Sequence, residues 1–116
     1  MPIVDQTIPV LFVQDARRSI EWFSRVLGFR VRFDYGDYVG IELDGAQIHL
    51  AERGAPDGVR LKGACQVHLV SGIEEYVAAI VAKGQVLAAP LSSGSTMHGA
   101  TVRDPDGNDI YLGQLR

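Results

Sequence analysis

An internal repeat is the feature of this sequence that most constrains its fold. Residues 6–52 and 64–116 carry the same order of patterns: an apolar strand, a helix and three strands. The Asp44-Gly45 turn matches Asp106-Gly107 at an offset of 62 residues. Neither half is large enough to bury its own helix and sheet face. The halves must therefore pack on each other or on a partner chain.

The repeat predicts one α+β domain over residues 1–116, built from two βαβββ modules with curved mixed sheets. Module one covers about residues 6–52 and module two about 64–116, with 53–63 as a linker rich in glycine and charge. A chain of 116 residues is too short for two ordinary domains. Its 47% hydrophobic content excludes intrinsic disorder.

The first module begins with an apolar strand over residues 8–13, which Pro9 confines to a sheet edge or to a seam between subunits. A helix follows, with Asp15 as its N-cap and Gly28 as its stop. Trp22 belongs to the apolar stripe of this helix and is expected in the core. Three strands with period-two alternation are predicted next, over residues 30–35, 38–43 and 46–51.

The second module repeats this order with a longer connection. Ser71 and Glu74 have the spacing of a capping box at the start of a helix that ends at Lys83-Gly84. Residues 90–99 are rich in serine and glycine and are predicted as a loop. Met97 and His98 either close over a ligand or belong to a surface loop. Strands are predicted over residues 64–70, 85–89, 99–103 and 109–114.

Composition excludes several function classes. The net charge of −3 argues against nucleic acid as a partner, because basic residues carry that binding. No apolar run is long enough to span a membrane, and the first residues do not resemble a signal peptide. Cys65 is the single cysteine, so no internal disulfide can form. These features predict a cytoplasmic protein.

The order of several short motifs makes the chain resemble the vicinal oxygen chelate superfamily, and within it the glyoxalase/bleomycin-resistance group. The resemblance covers nearly the whole chain. The motifs that carry it are Ile8-Pro9-Val10-Leu11, Asp15, residues 19–23, Leu27-Gly28-Phe29 and residues 102–108.

The resemblance implies a homodimer that binds a small organic ligand where the concave sheets of two chains meet. In bleomycin-resistance proteins the first strand is often exchanged between subunits, with a proline at the hinge. Pro9 lies at the matching place, and an ordinary edge-strand proline explains it equally well.

The resemblance also identifies four strand positions where enzymes of the superfamily hold a divalent metal. Here these positions carry Ile8, His49, Cys65 and Tyr111. Only His49 is an ordinary ligand for such a metal, because isoleucine has no donor atom and tyrosine is a rare ligand. The expectation is therefore no metal, no cofactor and no catalytic residue.

The side on which His68 lies is open from the sequence. Alternation places Cys65, Val67 and Leu69 toward the helix, whereas the spacing from Ser71 predicts the reverse. If His68 faces the concave side, then His49 and His68 are the remaining candidates for a metal pair.

Eight residues are predicted to contact the ligand. Phe33 and Tyr38 match aromatic positions of the drug groove, and Glu42 shares a face with Tyr38 and offers negative charge to a cation. Each has an ordinary alternative, either core packing or a solvated strand position. The resistance proteins' two tryptophans are replaced here by Val67 or Leu69 and by Thr96. The full set is Phe33, Tyr38, Glu42, His49, Val67, Leu69, Thr96 and Tyr111.

The function predicted from these features is metal-free sequestration of an antibiotic-type, bleomycin-like compound in a dimer groove. Capture of this kind needs burial, stacking and a few polar contacts, but no transition-state stabilisation. The first alternative is a metal-dependent enzyme: a lyase, a dioxygenase or a thiol transferase. The second is a catalytically silent domain that binds another protein. Ser92, Ser93 and Ser95 show no partnered base at a recognisable spacing.

Overall fold

A computed structural model describes residues 1–53 and 62–116 of the chain. Most of the predicted linker, residues 54–61, lies outside the described residues. The first module consists of β1 Val10–Val13, α1 Ala16–Trp22, a π-helical segment Phe23–Leu27, β2 Arg30–Asp34, β3 Tyr38–Leu43 and β4 Ala46–Glu52. The second consists of β5 Ala64–Leu69, α2 Ile73–Ala82, β6 Leu87–Ser93, β7 Met97–Arg103 and β8 Asp109–Leu115.

Each module forms a four-stranded mixed sheet, in the orders β1-β4-β3-β2 and β5-β8-β7-β6. The first strand of each module is parallel to the last, and the other neighbours are antiparallel. The predicted α+β fold with two βαβββ modules is confirmed. Val10 pairs with His49, and Gln66 pairs with Tyr111, so the first strands of the two modules match at an offset of 66 − 10 = 56 residues.

The first helix begins and ends where the sequence predicts. The Asp15 carboxylate accepts hydrogen bonds from the Arg17 and Arg18 backbone N–H groups at 3.0 and 3.3 Å. Gly28 ends the helical segment in the left-handed region, with φ of 83°. The last helical turn widens into a π-helix, which places Phe23, Val26 and Leu27 in the core.

The second helix begins differently from the prediction. Its N-cap is Gly72 in the left-handed region, and no side chain caps it, so the capping box from Ser71 to Glu74 is wrong. The Gln114 side-chain oxygen instead accepts a hydrogen bond from the Ile73 N–H at 3.0 Å. A long-range contact thus replaces the local cap. The predicted end at Lys83-Gly84 is confirmed. Within residues 1–53 and 62–116, no helix is long and apolar enough to cross a membrane.

The helix-facing sides of both sheets share one apolar core. Trp22 is buried in it, as expected, and its indole N–H donates to the Gln85 side-chain oxygen at 3.1 Å. The Tyr76 hydroxyl donates to the Leu27 carbonyl, and burial raises the pKa of this phenol to about 12. These two contacts join the end of the first helical segment to the second module.

A turn between β7 and β8 forms a second connection between the modules. The buried Asn108 amide donates to the Phe12 carbonyl at 3.0 Å and to the Asp104 carboxylate at 2.9 Å. Its side-chain oxygen accepts from the Gly63 N–H at 2.7 Å. Asn108 therefore fixes β1 against the start of β5. The Asp104 carboxyl is buried here, and burial raises its pKa.

The predicted loop over residues 90–99 is mostly a hairpin. Strand β6 extends to Ser93 and strand β7 begins at Met97, with Ser93 paired to His98. The serine- and glycine-rich composition therefore accounts only for the tip. Met97 and His98 belong to a strand, so the prediction of a loop at these two residues is wrong.

We expect that Asn108→Ala lowers the free energy of unfolding by about 2–3 kcal/mol, because it leaves the Gly63 N–H and the Asp104 carboxyl without their buried partner. Urea denaturation followed by tryptophan fluorescence measures this loss. Gln66→Ala, at an exposed strand position, is the control and should change stability by less than about 0.5 kcal/mol. Equal losses of stability for the two substitutions would contradict the role of Asn108 as a buried connection between the modules.

Candidate functional site

Each sheet has an open face, the side turned away from its helix. Val39 and Ile41 of β3 are buried in the core, so their alternate neighbours lie on the opposite side of the strand. The first open face consists of Phe33, Tyr38, Gly40, Glu42 and His49, with Val10 and Phe12 of β1 beside them. The second open face consists of Gln66, His68, Met97, Thr101 and Tyr111, with Gly99 and Gly113.

An aromatic cluster occupies the centre of the first open face. The Phe33 ring lies 5.0 Å from the His49 ring in an edge-on arrangement and 6.2 Å from the Tyr38 ring in a near-parallel one, measured between centroids. Gly40 lies beneath this cluster, and a Cβ there would overlap the Phe33 ring. The glycine therefore permits Phe33 to lie flat across the sheet, beside a bulge in β2.

His49 is held by Tyr38 and keeps one ring nitrogen without a partner. The Tyr38 hydroxyl lies 2.8 Å from His49 Nδ1, and Nε2 is buried with no hydrogen-bond partner in the described chain. Burial lowers the pKa of His49, and the positive charge of Arg32 lowers it further. The imidazole is thus neutral at pH 7, and a phenol that donates to Nδ1 leaves the ring proton on Nε2.

Glu42 lies on the first open face as predicted, but it is already paired. Its carboxylate forms ion pairs with Arg30 at 3.1 Å and with Arg32 at 3.5 Å, and the side chain is only 15% exposed. Two guanidinium groups therefore face one carboxylate. The negative charge expected to attract a cationic ligand is neutralised within the sheet.

Tyr111 dominates the second open face. Its ring lies along the sheet over Gly99 and Gly113, where any Cβ would overlap the ring or its hydroxyl. The Met97 methyl also lies over Gly113, at 2.7 Å from the position of a Cβ. Because these glycines have no side chains, the tyrosine ring can lie directly against the sheet, as Phe33 lies against Gly40 in the first module.

An open cavity of ≈ 330 Å³ adjoins Tyr111. Its volume lies near the lower end of the range for small-molecule sites. The lining combines polar groups with one aromatic ring and is formed by Ala64, Cys65, Gln66, Thr101, Asp109 and Tyr111.

The register of β5 shows which of its side chains face the core, a point on which alternation and the spacing from Ser71 disagree. Cys65 and Val67 pair with Ile110 and Leu112, which are buried under α2, and Leu69 also packs on this core. The spacing from Ser71 was misleading because Gly72 caps the helix. Val67 and Leu69 therefore turn away from the open face, which removes them as candidates to line a groove.

The open side of β5 carries Gln66 and His68 instead. The His68 Nε2 lies 2.7 Å from the Gln66 side-chain oxygen. His68 belongs to the second sheet and His49 to the first, so the two candidates for a metal pair lie on different open faces.

The side chains at the open-face positions do not fit a divalent-metal site in one chain. The strand neighbour of His49 is Val10, which has no donor atom, and the neighbour of Tyr111 is Gln66, whose amide oxygen is a single neutral donor. Cys65 faces the core, and burial raises its thiol pKa to about 11, so it offers no thiolate. In residues 1–53 and 62–116, no three His, Cys, Asp or Glu side chains come close enough to hold a metal ion.

Three residues in or beside the β6–β7 turn, Thr96, Ser93 and His98, are not part of either open face. Thr96 is exposed in the turn, and its carbonyl accepts from the Arg116 N–H at 2.9 Å. The Ser93 hydroxyl lies 2.6 Å from His98 Nδ1, a contact that sequence spacing missed because it depends on strand pairing. Of the eight predicted contact residues, the fold thus brings four together on the first open face and places Tyr111 on the second.

Comparison with protein families gives one match. The model of the Glyoxalase/Bleomycin resistance protein/Dioxygenase superfamily matches residues 4–112. A comparison with curated protein sequences gives no match.

Solved structures with a similar fold include an antibiotic binding protein and a lyase. TnmS3, an antibiotic binding protein from Streptomyces sp. CB03234, has a TM-score of 0.84 at 18% identity, over 100% of this chain and 99% of that one. TioX from Micromonospora sp. ML1 has a TM-score of 0.80 at 18% identity, over 97% and 100%. Lactoylglutathione lyase from Agrobacterium tumefaciens has a TM-score of 0.79 at 14% identity, over 98% and 96%. At identities of 14–18%, these similarities show that the fold is shared and nothing more.

We expect Cys65 to react slowly with thiol reagents at pH 7.5. A pKa of about 11, raised by burial, leaves about a hundredfold less thiolate than an ordinary cysteine has. The rate of reaction with Ellman's reagent measures this in the native protein, and the rate in urea is the control. A native rate equal to the unfolded rate would contradict the burial of the thiol.

Stability should fall as the pH drops below about 6.5, the pKa of an unfolded histidine. The pKa of His49 is lowered in the folded state, so the unfolded chain binds the proton first and gains stability relative to the fold. His49→Gln should weaken this dependence between pH 7 and 5, measured by urea denaturation. His68→Gln is the matched control on the other sheet, and an equal effect of both would exclude His49 as the source.

Proposed function

Because this chain belongs to the Glyoxalase/Bleomycin resistance protein/Dioxygenase superfamily, we propose that it is a metal-free binding protein for small antibiotic-type compounds. It captures its ligand in a groove and lowers the free concentration of that compound. The fold is shared with antibiotic-binding and lyase proteins, so the family alone does not decide between binding and catalysis.

The observation that carries the proposal is the cluster of Phe33, Tyr38 and His49 on the first open face. Aromatic rings on an accessible surface give a planar ligand a large contact area and stacking worth about 0.5–1.5 kcal/mol per ring pair. The buried His49 Nε2 adds an unused polar group at the same place. Apolar area with a few aimed polar groups is typical of small-molecule sites.

The donor set also favours binding over metal-assisted chemistry. A divalent metal that acts as a Lewis acid needs several nitrogen or oxygen ligands and one open position. Val10 and Gln66 occupy the strand positions beside His49 and Tyr111. No step of the proposed function uses a metal.

We extend the proposal to a cytoplasmic homodimer in which the open faces of two chains enclose the ligand. A single open sheet face buries only one side of a planar molecule, and a second chain would cover the other. The apolar Ile3 and Val4 in the N-terminal segment are 95% and 79% exposed and lie outside any strand. This segment is available to exchange with a partner, with Pro9 at the hinge.

A thermal-shift screen tests capture. Antibiotics that contain a planar aromatic group, bleomycin among them, are added to the protein at high concentration. A ligand that binds only the folded state adds about 2.7 kcal/mol of stability at a hundred times its Kd, so the Tm should rise with concentration. Tyr38→Ala should lower the apparent affinity, obtained from the concentration dependence of the Tm, at least tenfold. The reason is that it removes one aromatic ring and the contact with His49. Val86→Ala, at an exposed position, is the control.

Three results would contradict the proposal. A stoichiometric divalent metal in chelator-free protein that is lost in His49→Ala would favour the enzyme. The absence of any shift across the screen would favour a protein partner instead. If analytical sedimentation shows that the ligand-bound protein is a monomer, the proposed dimer groove is wrong.

A further inference from the structure

We infer that the first open face selects planar aromatic ligands that carry an acidic group, a carboxylate or a phenolate, over cationic ones. The inference rests on the proposed binding function and specifies its ligand class. In the sequence, Glu42 predicted a cationic ligand, and the inference replaces this with an anionic one.

The charge of this face is positive. Its strands carry Arg30 and Arg32 around Glu42, and the guanidinium of Arg53 lies over the Phe12 ring, 4.8 Å from the centroid. Phe12 pairs with Ala51, which also pairs with Tyr38, so Arg53 lies at the Tyr38 end of the face. Among the described residues of β1–β4 on this face, together with Arg53, three cations therefore accompany one carboxylate.

The other two carboxylates of strands β1–β4 do not reduce this charge, because they lie on the helix side of the sheet and bind groups of α1. Asp34 binds Arg17 of α1 at 2.6 Å, and Glu52 accepts from the Ala16 N–H at 3.1 Å. The sheet thus separates its charges, with acidic groups toward the helix and an excess of guanidinium groups toward the open side.

The guanidinium groups retain donors for a ligand. Arg30 and Arg32 are 81% and 51% exposed, whereas Glu42 between them is 15% exposed. A guanidinium has five N–H donors, and the bonds to Glu42 occupy only part of them. A carboxylate or phenolate can therefore bind the free N–H groups without displacing Glu42, and Glu42 itself offers a cation little accessible surface.

His49 adds a donor within the aromatic cluster. We assign the tautomer in which the Tyr38 hydroxyl donates to Nδ1, and in that tautomer the proton of the neutral ring lies on Nε2, which has no partner in the described chain. Arg32 is close enough for its charge to act on His49, so the same positive field covers the rings and the donor. A ring system that stacks on this cluster would direct an acidic group toward the exposed guanidinium groups, and an acceptor oxygen reaches the buried Nε2–H only if the ligand displaces the groups that cover it.

Three naphthalene probes of equal size and different charge test the inference: 2-naphthoate, 2-naphthamide and 2-(aminomethyl)naphthalene. Isothermal titration at low salt should show 2-naphthoate binding about tenfold more tightly than the amide, and the cationic amine binding most weakly. Salt should reduce the preference for naphthoate, because screening acts on exposed charges.

Substitutions assign the preference to this face. Arg32→Gln should lower the ratio of naphthoate to naphthamide affinity toward one, and Glu42→Gln should raise it. Arg25→Gln makes the same charge change on α1, where Arg25 pairs with Glu21, and should leave the ratio unchanged. His49→Phe should weaken naphthoate and naphthamide alike, since both present an acceptor oxygen.

The outcomes separate this inference from the proposed function. If the probes bind with equal affinity, or if the amine binds best, the charge selection is wrong while binding of aromatics stands. If no probe binds, and the antibiotic screen shows no shift, the proposed function itself fails. A ratio that Arg25→Gln lowers as much as Arg32→Gln would show that net charge, and not this face, is responsible.

Discussion

The burial of both helix-facing sheet sides in one apolar core is the constraint on which the structure depends. Each module has one helix and four strands, and its buried residues pack with those of the other module in a single cluster. Asn108 and Tyr76 add hydrogen bonds between the modules. Since this core uses one side of each sheet, the other side is left for function.

The open faces are built from aromatic rings over glycine. Phe33 lies over Gly40, and Tyr111 lies over Gly99 and Gly113, because only glycine leaves room for a ring against the backbone. The two faces differ in chemistry. The first has a neutral histidine and an excess of guanidinium groups, and the second has a tyrosine beside a cavity with polar lining.

Much of the fold could be predicted, because repeat, alternation and capping are local signals. Asp15, Gly28 and the end of α2 follow from such signals. The start of α2 could not be predicted, because Gln114 caps it from forty-one residues away. Of the two registers that the sequence left open for β5, the one counted from Ser71 is therefore wrong by one residue, and such a slip reverses every side chain of a strand.

The sequence by itself determined the two-module α+β architecture, and the alternation of one strand placed Tyr38 and Glu42 on the same face. The contacts of Phe33 with Tyr38 and His49 are known only from the tertiary structure. Only the tertiary structure decided that Val67 and Leu69 face the core, that Ser93 meets His98, and that Glu42 is neutralised by Arg30 and Arg32. Those outcomes depend on strand register and on contacts between strands. Local sequence patterns fix the period of a strand, but they do not fix its partner or its register.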